Sequence, residues 1–431
     1  MIIDGLVSRL ATRLATRGRI LSRRLAATSV ALWVIAIASI VALADALPNS
    51  TWVPLGSLPH QGSTAIFALA VDPSNNQVLL SGNSEGSLLK SANGGTSWNV
   101  VHAGKSVVTT IAYSQYTSGL VLAGTRGGGA LLSRDGGTTW SSTAGLEGRN
   151  VHAFAYSLTI IAAGTDKGVF VSSDGGSWSQ STLSNRSIDA NAVEAIHAPV
   201  RLVAGSDAQV SGSLPMFQSV DSGASWTTLT PPIAGTTIDK LAAGPLPATG
   251  NVRPLVVGTN TGLFLSNDNA VSFAPLSGGA LLPATDYTQV AFITDHFDRF
   301  YAASDGGGSR SGGLWRTDDG GQSFRSLQPP QPSVTALAVS NDEDPVLYVA
   351  IFQPSTHASS LWAYHDTGGS PQGPSSSQSP VASEARQAHP GNTSTLQQIL
   401  DAPQLPYVGL GLGALAVVLT AVVAHMRSRY R

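Results

Sequence analysis

An eight-residue pattern that returns six times constrains this chain more than any other feature. Ser91-Ala-Asn93-Gly-Gly95-Thr-Ser-Trp98 recurs as Ser133-Arg-Asp135-Gly-Gly137-Thr-Thr-Trp140 and as Ser219-Val-Asp221-Ser-Gly223-Ala-Ser-Trp226. Thr317-Asp-Asp319-Gly-Gly321-Gln-Ser-Phe324 keeps the same frame. Two copies depart from it: Ser172-Ser-Asp174-Gly-Gly176-Ser-Trp178 is one residue short, and Ser266-Asn-Asp268-Asn-Ala-Val-Ser-Phe273 has lost its glycines. Self-similarity at a near-fixed period marks a unit that buries its apolar face only against neighbouring copies. The closing aromatics at 98, 140, 178, 226, 273 and 324 lie 38 to 51 residues apart, the length of one four-stranded propeller blade.

The rest of each copy fits that unit. Alternating apolar strands precede the pattern, as in Ala65-Ile-Phe-Ala-Leu-Ala-Val71 and then Val78-Leu-Leu-Ser-Gly82, with the period of two that a sheet demands. Glycine-bracketed turns follow, at Gly82 to Gly86, Gly164 to Gly168 and Gly258 to Gly262. A third strand enters the pattern and a fourth begins at its aromatic. Within the pattern Ser and Asp accept backbone hydrogens of a tight turn, Gly supplies positive φ and the aromatic packs beside the strands. Each copy offers about one carboxylate, whereas calcium takes six to eight oxygens, so these residues read as a folding device and not as a metal site. Three further strands, Val334–Val339, Val346–Ala350 and Leu361–Tyr364, have no pattern behind them. Thr51-Trp52-Val-Pro-Leu55 resembles the fourth strands Ser225–Leu229 and Ser272–Leu276. Pairing it with the last three strands predicts a seventh blade and a closed ring over residues 51–365, without exposed sheet edges.

These repeats resemble the Asp-box, or BNR, repeats of sialidases, sortilin-type receptors, several glycoside hydrolases and a photosystem II assembly-factor family. The resemblance covers residues 51–365 and implies an all-β, seven-bladed propeller. It leaves function open, because enzymes, receptors and assembly factors share the motif. A sialidase would carry an Arg-Ile-Pro type motif before the first repeat, further Arg to clamp a carboxylate, and a Tyr nucleophile with a Glu partner. Residues 51–89 contain no Arg, and Glu85, Glu147 and Glu194, the only Glu between 51 and 330, have no matching flanks. Asp295 and Asp298 lie close in sequence, as a carboxylate pair or as a solvated loop.

Two apolar runs flank the repeats. Residues 25–44 are uncharged over a length that spans a bilayer as a helix, and the basic leader 1–24 before them carries six Arg against one Asp. The domain so defined, 25–47, reads as a transmembrane helix or signal anchor, or as a cleaved signal peptide, given Ala42-Leu43-Ala44. Ser22-Arg23-Arg24-Leu25 gives only a weak match to a twin-arginine signal. Residues 405–424 form a second run before the basic tail 425–431, and Gly409 and Gly413 have the spacing of close-packing membrane helices. Residues 366–404, rich in Ser, Pro and Gly, read as a flexible stalk. Both termini are thus expected in the cytoplasm and the propeller outside it, with the lipid bilayer as one partner.

A net charge of −2 gives no basic field for nucleic acid, and the absence of Cys removes disulfides and thiolate sites. The nine His show no metal-binding spacing, and Asp305–Gly313 is Gly-rich but lacks the Lys and helix of a phosphate loop. No catalytic, cofactor or metal residue is expected, and no cofactor. Arg126, Arg134, Arg149 and Arg186 are expected to form a patch if the loops bring them to one face. The function so implied is a membrane-anchored, non-enzymatic binding or assembly scaffold for a protein or glycan. A membrane-anchored glycoside hydrolase is the alternative, and would gather carboxylates and aromatics at one mouth of the channel.

Overall fold

The computed structural model describes residues 50–368 except 60–63, 196–199, 209–213, 230–232, 246–251, 294–295 and 308–311, with backbone alone at 190–195 and 297. The expected membrane segments 25–47 and 405–424, both basic ends and nearly all of the stalk lie outside the described residues. Among the described residues there is no helix, and so none long and apolar enough to cross a membrane.

Among the described residues, twenty-eight strands form seven antiparallel sheets of four. In six sheets the strands follow chain order. Their first strands are Ile66–Asp72, Val108–Tyr113, Val151–Tyr156, Ala190–Ala195, Ile238–Ala243 and Gln289–Ile293, which define blades one to six. Blade seven begins with Val334–Val339 and continues through Val346–Gln353 and Ala358–His365. Each first strand contacts the first strands of both neighbouring blades, and those of blades one and seven touch. The fold is a closed seven-bladed β-propeller, with first strands around a central channel.

Burial follows from this layering. Second strands are covered on both faces: Val121–Thr125 and Leu255–Thr259, VLAGT and LVVGT, are wholly buried. Fourth strands at the rim are short and exposed, as at Ser141–Ser142. The apolar core is divided into seven wedges, one between each pair of neighbouring blades. Each aromatic that ends a repeat lies beside such a wedge; Trp98, Trp178, Phe273 and Phe324 are buried.

The repeated pattern forms the turn between third and fourth strands. In blade four Ser219 Oγ accepts the Gly223 N–H at 2.8 Å and donates to Asp221 Oδ1 at 2.8 Å, while Asp221 accepts the Ser225 N–H at 2.8 Å. The short copy keeps this scheme by moving one residue, so that the Gly175 N–H reaches Ser172 Oγ at 2.9 Å. In the copy without glycine, Asn269 and Ala270 adopt φ of 60° and 64°. That strained left-handed backbone is the cost of losing Gly.

Blade seven closes the ring with the strand Trp52–Pro54, which pairs antiparallel with Ala358–His365 through Trp52↔Tyr364, Val53↔Ala363 and Pro54↔Trp362. Pro54 has no N–H to donate, and this outer position is one of the few that tolerates it in a sheet. Trp52 is fully buried; its Nε1 donates to Leu327 O at 2.8 Å in blade six and its ring lies 5.0 Å from that of Tyr364. Just past the last strand, the buried Asp366 carboxylate accepts from Tyr301 Oη at 2.7 Å and from Arg316. A second seam contact thus joins blades six and seven.

Candidate functional site

Most first strands begin with a bulge, between Ile66 and Ala68, Val108 and Thr110, Val151 and Ala153, Ile238 and Lys240, and Val334 and Ala336. A bulge turns the extra side chain out of the ladder. Phe67, Thr109, His152, Asp239 and Thr335 are therefore aimed into the channel. Asp189 and Thr288, each just before a first strand, complete a ring with one residue from every blade. This ring lines a cavity of about 500 Å³ together with Asp207, Asp305 and Arg126.

Acid dominates this mouth. His152 Nδ1 stands 3.0 Å from Asp189 Oδ1, and Asp189 also receives the Asp207 N–H at 3.1 Å. Asp207 accepts the Ile238 N–H at 3.0 Å, tying blade four to blade five. Burial pushes Asp189 up, but its bonds from His152 and Ser187 more than offset this and leave its carboxyl below the usual range. Asp207 is raised by burial and by the charge of Asp189. Burial, the charge of Asp286 and a hydrogen bond with Asp286 push Asp239 up to about 8. Asp286 is raised by burial and by the nearby Asp305. Two carboxyls this close cannot both ionise cheaply, so Asp239 and Asp286 hold a proton between them near neutral pH. Among the described residues, no group of three His, Asp or Glu is arranged to hold a metal ion.

The other end of the channel differs. Tyr113, Tyr116, Phe154, Tyr156 and Arg253 line one recess there, and Tyr113, Tyr116 and Phe292 another. Tyr156 Oη donates to Ala112 O at 2.9 Å. One mouth is thus anionic and the other aromatic.

No family profile matches the chain, and neither does any curated protein. Solved structures do. YCF48 from Cyanidioschyzon merolae is 15% identical, with a TM-score of 0.50 over 73% of this chain and 98% of that one. A YCF48 structure bound to D1 peptide is also 15% identical, with a TM-score of 0.50 over 74% of this chain and 96% of that one. The WD40 repeats of RRP9 are 16% identical, with a TM-score of 0.54 over 74% of this chain and 98% of that one. Likeness at this identity concerns the propeller fold alone.

Successive strands alternate in direction, so the turns carrying Ser91, Asn93 and Trp98, or Ser133, Asp135 and Trp140, lie at the end of the blades opposite the acidic mouth. The same holds for the remaining copies, through Ser172, Asp174, Trp178, Ser219, Asp221, Trp226, Ser266, Asp268, Phe273, Thr317, Asp319 and Phe324. Their hydroxyls and carboxylates are occupied in the turns: Asp135 accepts from Ser133, Thr138 and Thr139. The four arginines do not share one face, because Arg134 stands at the opposite end from Arg126. Arg126 lines the acidic mouth, Arg134 is at the far end of blade two paired with Asp174 at 3.1 Å, and Arg186 lies over Phe217 at 4.6 Å. Glu85 accepts from Thr64 and Glu147 from the Gly145 N–H; the Glu194 side chain and Asp295 lie outside the described residues. Asp189, Asp207, Asp239, Asp286 and His152 were not singled out by the sequence, and Asp305 stood out only as the start of a Gly-rich run. Aligning the repeats on their strand starts would have exposed a column, Phe67, Thr109, His152, Asp189, Asp239, Thr288 and Thr335, that is polar in every blade but the first, where a buried strand should be apolar.

Proposed function

We propose that this chain is a non-enzymatic binding scaffold of the Asp-box propeller type, tethered to a membrane through residues 25–44 and 405–424, whose acidic channel mouth receives a basic segment of a partner protein outside the cytoplasm. The gathering of Asp189, Asp207, Asp239, Asp286 and Asp305 around one opening carries this reading. Carboxylates focused by the low-dielectric walls of a channel attract Lys- and Arg-rich chains and speed their encounter. The Ser-Asp turn geometry supports the Asp-box assignment, and the YCF48 structure with D1 peptide supplies an example of a propeller that holds a peptide. Charge patterning at residues 1–24 and 425–431 supports the placement of the propeller. The test is binding of a labelled Lys/Arg-rich peptide to the full chain in detergent micelles. Asp207→Asn with Asp305→Asn weakens that binding at least tenfold, and added salt weakens it further. Equal binding of an acidic peptide of the same length would remove this reading.

One observation favours a hydrolase as the second reading. A proton held by Asp239 and Asp286 at neutral pH is what a general acid requires. A panel of chromogenic glycosides and sialosides across pH 4 to 8 decides between the two: turnover lost on Asp239→Asn would replace the scaffold by an enzyme.

A further inference from the structure

The two ends of the propeller differ in what they show to solvent. Among the described residues, the exposed large apolar side chains are Phe67, Val100, Leu158, Val220 and Val271. Phe67 lies in the acidic mouth and Val100 on the outer strand Asn99–Ala103. The other three, 50%, 54% and 76% exposed, all stand in turns at the opposite end. Leu158 lies between the first and second strands of blade three, and Val220 and Val271 lie in the repeated turns of blades four and five. These turns are neighbours: Thr182 Oγ1 in blade three donates to Ala224 O at 2.9 Å, and Gln218 Nε2 in blade four donates to Asn269 O at 2.9 Å. The turn itself does not call for valine, because other copies hold Arg134 and Asp318 at the position of Val220, and Thr138 and Gln322 at that of Val271. The recess of Tyr113, Tyr116 and Phe292 opens on the same end.

The chain also enters and leaves the propeller here. Ala358–His365 runs toward this end and Trp52–Pro54 away from it, with the Ser50 N–H bonded to His365 O at 2.9 Å. With residues 25–44 in the bilayer, as proposed above, only residues 45–49 separate Ser50 from it. An extended chain covers about 3.5 Å per residue, so Ser50 is held within roughly 20 Å of the lipid. Blade seven, which carries this tether, lies across the ring from blades three and four, so contacts at both sides hold the ring flat. We propose that the end carrying Leu158, Val220 and Val271 docks on the bilayer surface, with these side chains at the boundary of headgroups and acyl chains and the tyrosines at headgroup level. The acidic mouth then faces away from the lipid. Asp174, Asp221 and Asp268 stand at the docking end, which disfavours anionic headgroups and leaves apolar burial as the attraction. This docking rests on the membrane tether and not on what the mouth binds.

The chain has no Cys, so one introduced cysteine carries one label. The full chain is reconstituted in phosphatidylcholine vesicles with a fluorophore on Thr159→Cys, beside Leu158, or on Lys167→Cys, at the other end of the same blade. A nitroxide on the lipid acyl chain, close to the headgroup, quenches the label at 159 at least threefold more than the label at 167. Leu158→Ser with Val220→Ser and Val271→Ser, all at exposed sites that tolerate substitution, removes that difference and leaves Tm by circular dichroism unchanged. Equal quenching at the two positions, or a difference that survives the triple replacement, overturns the proposal. So does quenching that appears only with phosphatidylglycerol and is lost in salt. A label at 159 that neither the lipid quencher nor aqueous iodide reaches shows a protein, such as a second copy, on this face and overturns it too. Flotation after a carbonate wash separates the two readings: protein that floats with an unquenched label keeps the tether and loses the docking, and protein that washes off loses both.

Discussion

At the scale of single residues, the hydroxyls at 91, 133, 172, 219, 266 and 317 perform one task in six turns: each accepts an amide hydrogen from its turn and donates to the neighbouring Asp or Asn. Ser219→Ala leaves the buried Gly223 N–H without an acceptor, a change that costs about 1–3 kcal/mol. Urea unfolding should register that loss with an unchanged m-value. The turn carboxylate Asp221 and the channel carboxylate Asp239 respond to pH in opposite senses. Bonds from the Ser225 side chain and backbone hold Asp221 at about 2, below the unfolded value of about 3.9, so its contribution is full above that value and lost as the pH falls through about 2. Asp239, at about 8, is raised above its unfolded value; its contribution is full below about 4 and is lost as pH rises through 8. Thermal stability should therefore peak in mildly acidic solution. Asp239→Asn should flatten the decline between pH 5 and 8 while leaving the acid limb intact.

At the scale of elements, the three-residue strand Trp52–Pro54 carries more than its length suggests, because Trp52 fills the wedge between blades six and seven. Trp52→Ala removes that side chain and its bond to Leu327, and truncations of this kind cost about 3–5 kcal/mol. Differential scanning calorimetry would show it as a large fall in Tm, whereas Val100→Ala, at an exposed site of a fourth strand, should change Tm little. This strand was legible in the sequence because its Trp-Val-Pro-Leu run matches the fourth strands after the repeated turns. The turns themselves were legible because local chemistry fixes them. The acidic mouth was not, for a different physical reason. Asp189, Asp207, Asp239, Asp286 and Asp305 come from the edges of three blades and are separated by whole strands, so no spacing along the chain brings them together.

At the scale of the whole molecule, a net charge of −2 conceals a strong local field, because the acids that matter stand around one opening. Neutralising part of it should relieve repulsion as well as abolish attraction. Asp207→Asn is expected to raise Tm slightly at pH 8 while weakening capture of a basic peptide, a combination that simple misfolding would not produce. Circular dichroism melting beside the binding titration reads both. Ring closure has a mechanical side too. The Ser50 N–H donates to His365 O at 2.9 Å, so the chain enters and leaves the propeller at neighbouring points of one blade, with Trp52 paired to Tyr364 just inside. Tension that draws residues 50 and 368 apart therefore falls on one residue pair at a time, in a peeling direction, and not on the whole ladder in shear. The ring yields first at its own fastening, and blades one to six remain whole when it does.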